Sequence, residues 1–140
     1  MSLDKQSYEA QRWLGTAEED LDAAKVLLRE GKYSHSCFLA QQSGEKALKA
    51  LWYFLGEDPW GHSIYKLILE IPDEEIRKKM AEIQDEAVGL DRFYIPTRYP
   101  NGLPDLTPAK YYFQRDVEFS IRAAGAIISK IREHIQPPSQ

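Results

Sequence analysis

The chain has 140 residues, about one ordinary domain, with 43% hydrophobic, 29% charged and 11% aromatic residues, a globular composition that excludes disorder throughout. A net charge of −4 argues against coating duplex nucleic acid without regard to sequence, and one cysteine, Cys37, excludes an internal disulfide framework or a Cys-rich zinc site. No apolar run reaches the roughly 18 residues of a membrane span, and Met1–Lys5 lacks the apolar core of a secretion signal, so a cytoplasmic single domain over 1–140 is expected.

Five segments show helical periodicity and none alternates like a strand. The first runs from Tyr8 to Glu30, with Ala10, Trp13, Leu14, Ala17, Leu21, Ala24 and Leu28 in one stripe and Gly31 as its stop. The second runs from Tyr33 to Leu55. Its seam of Cys37, Ala40, Gly44, Ala47, Leu48, Leu51 and Leu55 is built from small side chains at its start, so a close crossing is expected near Gly44. Gly56 ends it, and Asp58-Pro59-Trp60-Gly61 reads as a turn. Ser63 can cap a short helix with Ile64, Leu67, Ile68 and Ile71 inward, before Pro72 interrupts.

A fourth helix starts with Asp73, Glu74 and Glu75, which suit the positive end of its dipole, and carries Ile76, Met80, Ile83, Ala87 and Leu90. From Ile95 to Pro108 a proline recurs every fourth residue, at 96, 100, 104 and 108, which removes amide donors and biases the preceding residues toward extended geometry. A connection of this length is often functional. Thr107-Pro108 reads as N-cap and first position of the last helix, with Phe113, Val117, Ile121, Ala124, Ile128, Ile131 and Ile135 in one stripe and Pro137-Pro138 beyond. The expected fold is all-α. It is an up-and-down helical bundle of four long helices plus one short helix, with a proline-rich loop before the last helix and an ordered core over 8–135.

Charge is unevenly placed. Between Arg92 and Arg115 stand Arg92, Arg98, Lys110 and Arg115 against the single acid Asp105, a local +3 in a chain of −4. The same window holds Phe93, Tyr94, Tyr99, Tyr111, Tyr112 and Phe113. Guanidinium groups bind phosphates in bidentate fashion and rings stack on bases, so this segment is a candidate binding site; alternatively the rings clamp the loop to the core. Gln42, Lys46 and Lys49 form a polar helical face, either solvated or part of the same cleft. His62, between a turn and a short helix, can contact a ligand, act as a base or fix the turn. His35, His62 and His134 have no helical metal spacing. Cys37 and His35, two apart, point to different sides of a helix, so Cys37 reads as structural. No phosphate-binding or dinucleotide-binding glycine motif occurs.

Three stretches, Cys37-Phe38-Leu39-Ala40-Gln41-Gln42-Ser43-Gly44-Glu45-Lys46-Ala47-Leu48-Lys49-Ala50, Trp60-Gly61-His62-Ser63 and Leu90-Asp91-Arg92-Phe93-Tyr94-Ile95-Pro96-Thr97-Arg98-Tyr99-Pro100, are together similar in order and spacing to the HEPN domain. This is the nucleotide-binding domain of higher eukaryotes and prokaryotes, and the resemblance spans Tyr8 to Ile135. It implies a helical bundle that commonly dimerises and often acts beside a minimal nucleotidyltransferase, as toxin and antitoxin. Many members are metal-independent ribonucleases with arginine and, after four to six residues, histidine in the dimer cleft. Arginine would there stabilise charge on the phosphorus and histidine move protons at a 2′-hydroxyl.

The sequence departs from that pattern. After Arg98 the histidine positions hold Leu103, Pro104 and Asp105, while Arg29 and His35 meet the spacing only across the Gly31 turn, as a coincidence. The expectation is a non-catalytic module, without cofactor or metal, that binds a nucleotide or other phosphate-bearing ligand. Arg98 and Arg92 would hold phosphate, Tyr94 or Tyr99 would stack, and His62, Lys46 and Lys49 would line the cleft. Its expected partners are a nucleotidyltransferase and a second copy of the chain, with RNA as a further ligand. The alternatives are a ribonuclease toxin using Arg98 with His62, and a dimerising bundle that binds a protein.

Overall fold

Helix α1 (Leu3–Arg29) and helix α2 (Tyr33–Phe54) pack side by side along most of their length in the computed structural model, which describes residues 3–135; Pro137-Pro138 lies outside them. The turn between them is a left-handed cap. Gly31 has φ 75°, its amide donates to the Leu28 carbonyl at 3.0 Å, and the Lys32 amide donates to Leu27 at 2.9 Å. Gly56, with φ 81°, closes α2 in the same way through Glu57 and Trp52. Two serines show the packing directly. Ser36 Oγ donates to the Ala24 carbonyl at 2.6 Å and Ser43 Oγ to that of Ala17 at 2.7 Å. As the α2 number rises by seven the α1 number falls by seven, so the helices are antiparallel. The stripe Ala10, Leu14, Ala17, Leu21 and Ala24 is buried in this contact.

The remaining helices are α3 (Ile64–Leu69), α4 (Glu74–Met80), α5 (Gln84–Asp91), α6 (Pro108–Tyr111) and α7 (Gln114–Arg132), with no strand among the described residues. Helix α2 is the hub, touching α1, α3, α5, α6 and α7. At Gly44 the Leu90, Ile64 and Ile127 side chains converge from three helices, which realises the close approach expected there. The bundle is all-α, as the sequence implies. No helix among the described residues is long and apolar enough to cross a membrane.

Three local expectations change. The fourth helix is two helices joined by a 3₁₀ turn, Ala81–Ile83. Tighter winding lets residues three apart eclipse, so Met80 and Ile83 both reach the core. The last helix starts at Gln114, not at Pro108. Tyr112 and Phe113 are extended, Phe113 N donates to the Asp116 carboxylate at 2.7 Å, and this pair starts α7 afresh. Tyr112 is thereby buried against Phe93, with ring centroids 5.7 Å apart, and Phe113 of the expected stripe is exposed.

The proline segment is wound rather than extended over residues 92–98. Thr97 Oγ1 donates to the Phe93 carbonyl at 2.5 Å, which the amide-less Pro96 cannot serve, and Arg98 Nε donates to the Tyr94 carbonyl at 3.0 Å, so side chains help close these turns.

Candidate functional site

Asp91, the last residue of α5, builds the frame. Its carboxylate accepts from Ile64 N at 2.7 Å, Tyr65 N at 3.0 Å and Ser63 Oγ at 2.9 Å. Ser63 Oγ in turn accepts from Lys66 N, which makes it the N-cap the sequence suggests. The end of α5 is thus tied to the start of α3, and His62, one residue earlier, is brought over the turn that follows α5. There the His62 ring stacks on Tyr94, with centroids 4.9 Å apart and planes 17° from parallel.

Tyr94 links His62 to Arg98. The guanidinium carbon of Arg98 lies 4.7 Å from the Tyr94 ring centre, 4.7 Å from that of Phe38 and 5.1 Å from that of Tyr99. Such contacts hold the cation over ring faces while leaving its outer nitrogens available. The ion pairs among the described residues engage Arg12, Lys46, Lys49, Lys78, Lys130 and Arg132, but none of the four cations between Arg92 and Arg115. Beside Arg98 opens a groove of about 310 Å³ between the start of α2 (Ser34, His35, Phe38) and the loop with the start of α6 (Thr97, Arg98, Thr107, Pro108). The α2 N-terminus has no side-chain cap and no acid in its first turn, so nothing within the helix itself offsets its positive end.

The polar face of α2 divides. Lys46 turns away to α1, where its Nζ donates to Asp20 at 2.7 Å. Lys49 Nζ donates to Glu45 at 2.9 Å and lies 5.9 Å from the Trp13 ring centre. Glu45, only 3% exposed, is the residue that the sequence does not announce. The same oxygen that takes Lys49 also stands 3.2 Å from His62 Nδ1, and its other oxygen accepts from Gln41 Nε2 at 3.2 Å. Lys49 therefore reaches His62 through Glu45, while Lys46 does not join the cluster. Arg92 is exposed and lies on the Tyr112 side, where its charge partly offsets the burial that pushes the Tyr112 hydroxyl up to about 12.

His35 comes to the Arg98 groove from α2 and lines it together with Arg98. His35 thus shares the groove with Arg98, while His62 is linked to Arg98 through the Tyr94 ring. Cys37 is buried. Burial pushes its thiol up to about 12, against a smaller opposing effect of the Ser120 hydrogen bond, which fits a structural cysteine. Among the described residues no group of three His, Cys, Asp or Glu side chains converges as a metal site would require.

The comparisons with known proteins agree with this architecture. The family model of the HEPN domain matches residues 10–134. The protein named Putative toxin MJ1304, from Methanocaldococcus jannaschii, is 26% identical over 137 residues, covering 91% of this chain and 88% of its own. The crystal structure of TT1696 from Thermus thermophilus is similar with a TM-score of 0.82 at 35% identity, covering 89% of this chain and 97% of that one. That of ST0689, an archaeal HEPN homologue, gives 0.76 at 35% identity, covering 91% and 98%. With its bundle, its order of motifs and its matched length all in accord, the chain belongs to the HEPN domain family.

Proposed function

We propose that this HEPN module binds a nucleotide or another phosphate-bearing polyanion in the Arg98 groove, without catalysis of its own. In this reading it partners a minimal nucleotidyltransferase, as one half of a toxin–antitoxin pair, and works as a cytoplasmic homodimer. The observation that carries the ligand is Arg98: a cation held by three rings, without a carboxylate partner among the described residues, at the mouth of a groove next to an uncapped helix start. A phosphate there would meet charge and donors already fixed in place. Tyr94 and Tyr99 offer ring faces for a base. The likeness to a protein named as a toxin supports the toxin side of the pairing.

The test is a thermal-shift panel of mono-, di- and triphosphate nucleotides with wild type and Arg98→Ala. Ligand at 100 times its Kd stabilises by about 2.7 kcal/mol, which is readily seen. A shift lost in Arg98→Ala supports the reading. Blank panels together with a protein pull-down weakened by Arg98→Ala would replace it with a protein-binding bundle.

A second reading, a ribonuclease, gains from one observation: His35 lines the groove with Arg98 although the linear motif lacks its histidine. It requires metal-independent RNA cleavage that disappears in Arg98→Ala and in either His35→Ala or His62→Ala. Intact RNA after prolonged incubation removes it.

A further inference from the structure

We infer that Glu45 is a positioning residue for His62: the buried carboxylate accepts a hydrogen bond from Nδ1–H of the neutral imidazole and so leaves the Nε2 lone pair, on the ring stacked over Tyr94, for a hydroxyl of the phosphate-bearing ligand. This deepens the ligand reading of the Arg98 groove and rests on it.

Burial, geometry and ring chemistry carry the inference. Burying a carboxylate is costly unless donors surround it, and Glu45 has three: Gln41, Lys49 and His62. A Glu45–Lys49 pair alone would be a poor stabilising device, because apolar side chains in place of a buried ion pair are often neutral or better. The third donor differs from the others. The His62 side chain is 59% exposed, so its contact with Glu45 fixes a group that looks outward. An imidazole that donates through Nδ1 is an acceptor at Nε2, on the opposite side of the ring. For this ring Nε2 has no protein partner among the described residues, whereas stacking on Tyr94 and the Nδ1 contact with Glu45 at 3.2 Å limit its freedom to turn. Arg98 cannot accept a hydrogen bond, so the two side chains divide the work: guanidinium for the anion, imidazole for a neighbouring hydroxyl. A sugar phosphate has both groups.

Two measurements on the full chain test this. Long-range ¹H–¹⁵N correlation at a pH where His62 is neutral reads the tautomer directly. We expect Nδ1–H in the wild type and a loss of that preference in Glu45→Gln. The Nε2–H tautomer in the wild type overturns the inference and needs no variant that folds. Calorimetric titration then compares adenosine 5′-monophosphate with 2′,3′-dideoxyadenosine 5′-monophosphate, which lacks both ribose hydroxyls. The wild type should prefer the first by about five-fold, the worth of one modest hydrogen bond. Glu45→Gln and His62→Ala should each erase that preference, and the double variant should lose no more, while Arg98→Ala weakens both probes alike. Preference retained in Glu45→Gln overturns the inference while leaving the ligand site intact. Neither probe bound by the wild type, with the Nδ1–H tautomer in place, overturns the nucleotide reading and leaves Glu45's hold on His62 standing.

Discussion

A methyl group added at Gly44 would stand 2.9 Å from Leu90 Cδ1, 3.1 Å from Ile64 Cδ1 and 3.3 Å from Ile127 Cδ1. These atoms come from α5, α3 and α7, so relieving one contact does not relieve the others. Replacing glycine by alanine within a helix gains about 1 kcal/mol of propensity, against about 1–3 kcal/mol for overpacking a full core. We expect Gly44→Ala to lose about 1 kcal/mol net. Gly44→Val should lose more, and an unchanged urea midpoint in Gly44→Val would mean that the hub of the bundle is slack. Cys37 makes a prediction in pH. Burial pushes its native thiol from the ordinary 9.0 up to about 12. The raised value means the neutral thiol is favoured by folding, so its contribution is full below pH 9 and is lost as pH rises toward 12. Unfolding free energy measured from neutral pH to about pH 10 should fall less steeply in Cys37→Ala than in the wild type. Native Cys37 should also resist iodoacetamide until denaturant is added.

At the scale of elements, Asp91 does for α3 what a local cap does for most helices, but from 26 to 28 residues away. Removing it leaves two amides and the Ser63 hydroxyl without their acceptor. Asp91→Ala should therefore cost about 1–3 kcal/mol, more than Ser63→Ala, whose hydroxyl serves the single amide of Lys66. Hydrogen exchange should show the loss first at Ile64 and Tyr65, and unchanged protection there would refute the cap. Here the division between legible and illegible is physical. The stripes of α1 and α2, the Gly31 and Gly56 stops and the Ser63 cap depend on neighbours within a turn or two, and the sequence displays them. The Asp91 tie, the restart of α7 at Phe113 and the burial of Tyr112 depend on what lies across the bundle. Glu45 is not singled out by the sequence pattern, because its burial depends on the helices that surround α2. The nearest signal was the small residues on several sides of α2, Ser36, Ala40, Ser43, Gly44, Ala47 and Ala50, which imply a helix enclosed by neighbours and hence a buried carboxylate. Among the residues picked out from sequence, His62, Tyr94, Arg98 and Tyr99 come together because the loop is wound, with Lys49 joined through Glu45. Lys46 and Arg92 face elsewhere, since neighbours in sequence on a helix or turn point in different directions.

For the whole molecule the decisive property is that a chain of −4 gathers four cations, none of them in an ion pair among the described residues, in one segment. An exposed cluster attracts anions through water, and that attraction is screened over about 10 Å at 0.1 M salt and about 3 Å at 1 M. Two kinds of arginine can be told apart on this basis. Arg92 and Arg115 add to the field without a place in the groove, so Arg92→Ala should weaken a phosphate ligand only slightly, and only at low salt. Arg98 touches the groove and is fixed by three rings, so Arg98→Ala should weaken the same ligand about ten-fold or more, as loss of a charge-assisted hydrogen bond does, and part of the loss should persist at high salt. Calorimetric titrations at about 0.1 M and about 1 M salt separate the two contributions. Equal losses from Arg92→Ala and Arg98→Ala, both vanishing at high salt, would mean that the molecule holds anions by its field alone. A loss confined to Arg98 and surviving salt would mean that the fold spends its proline-rich segment on building one site.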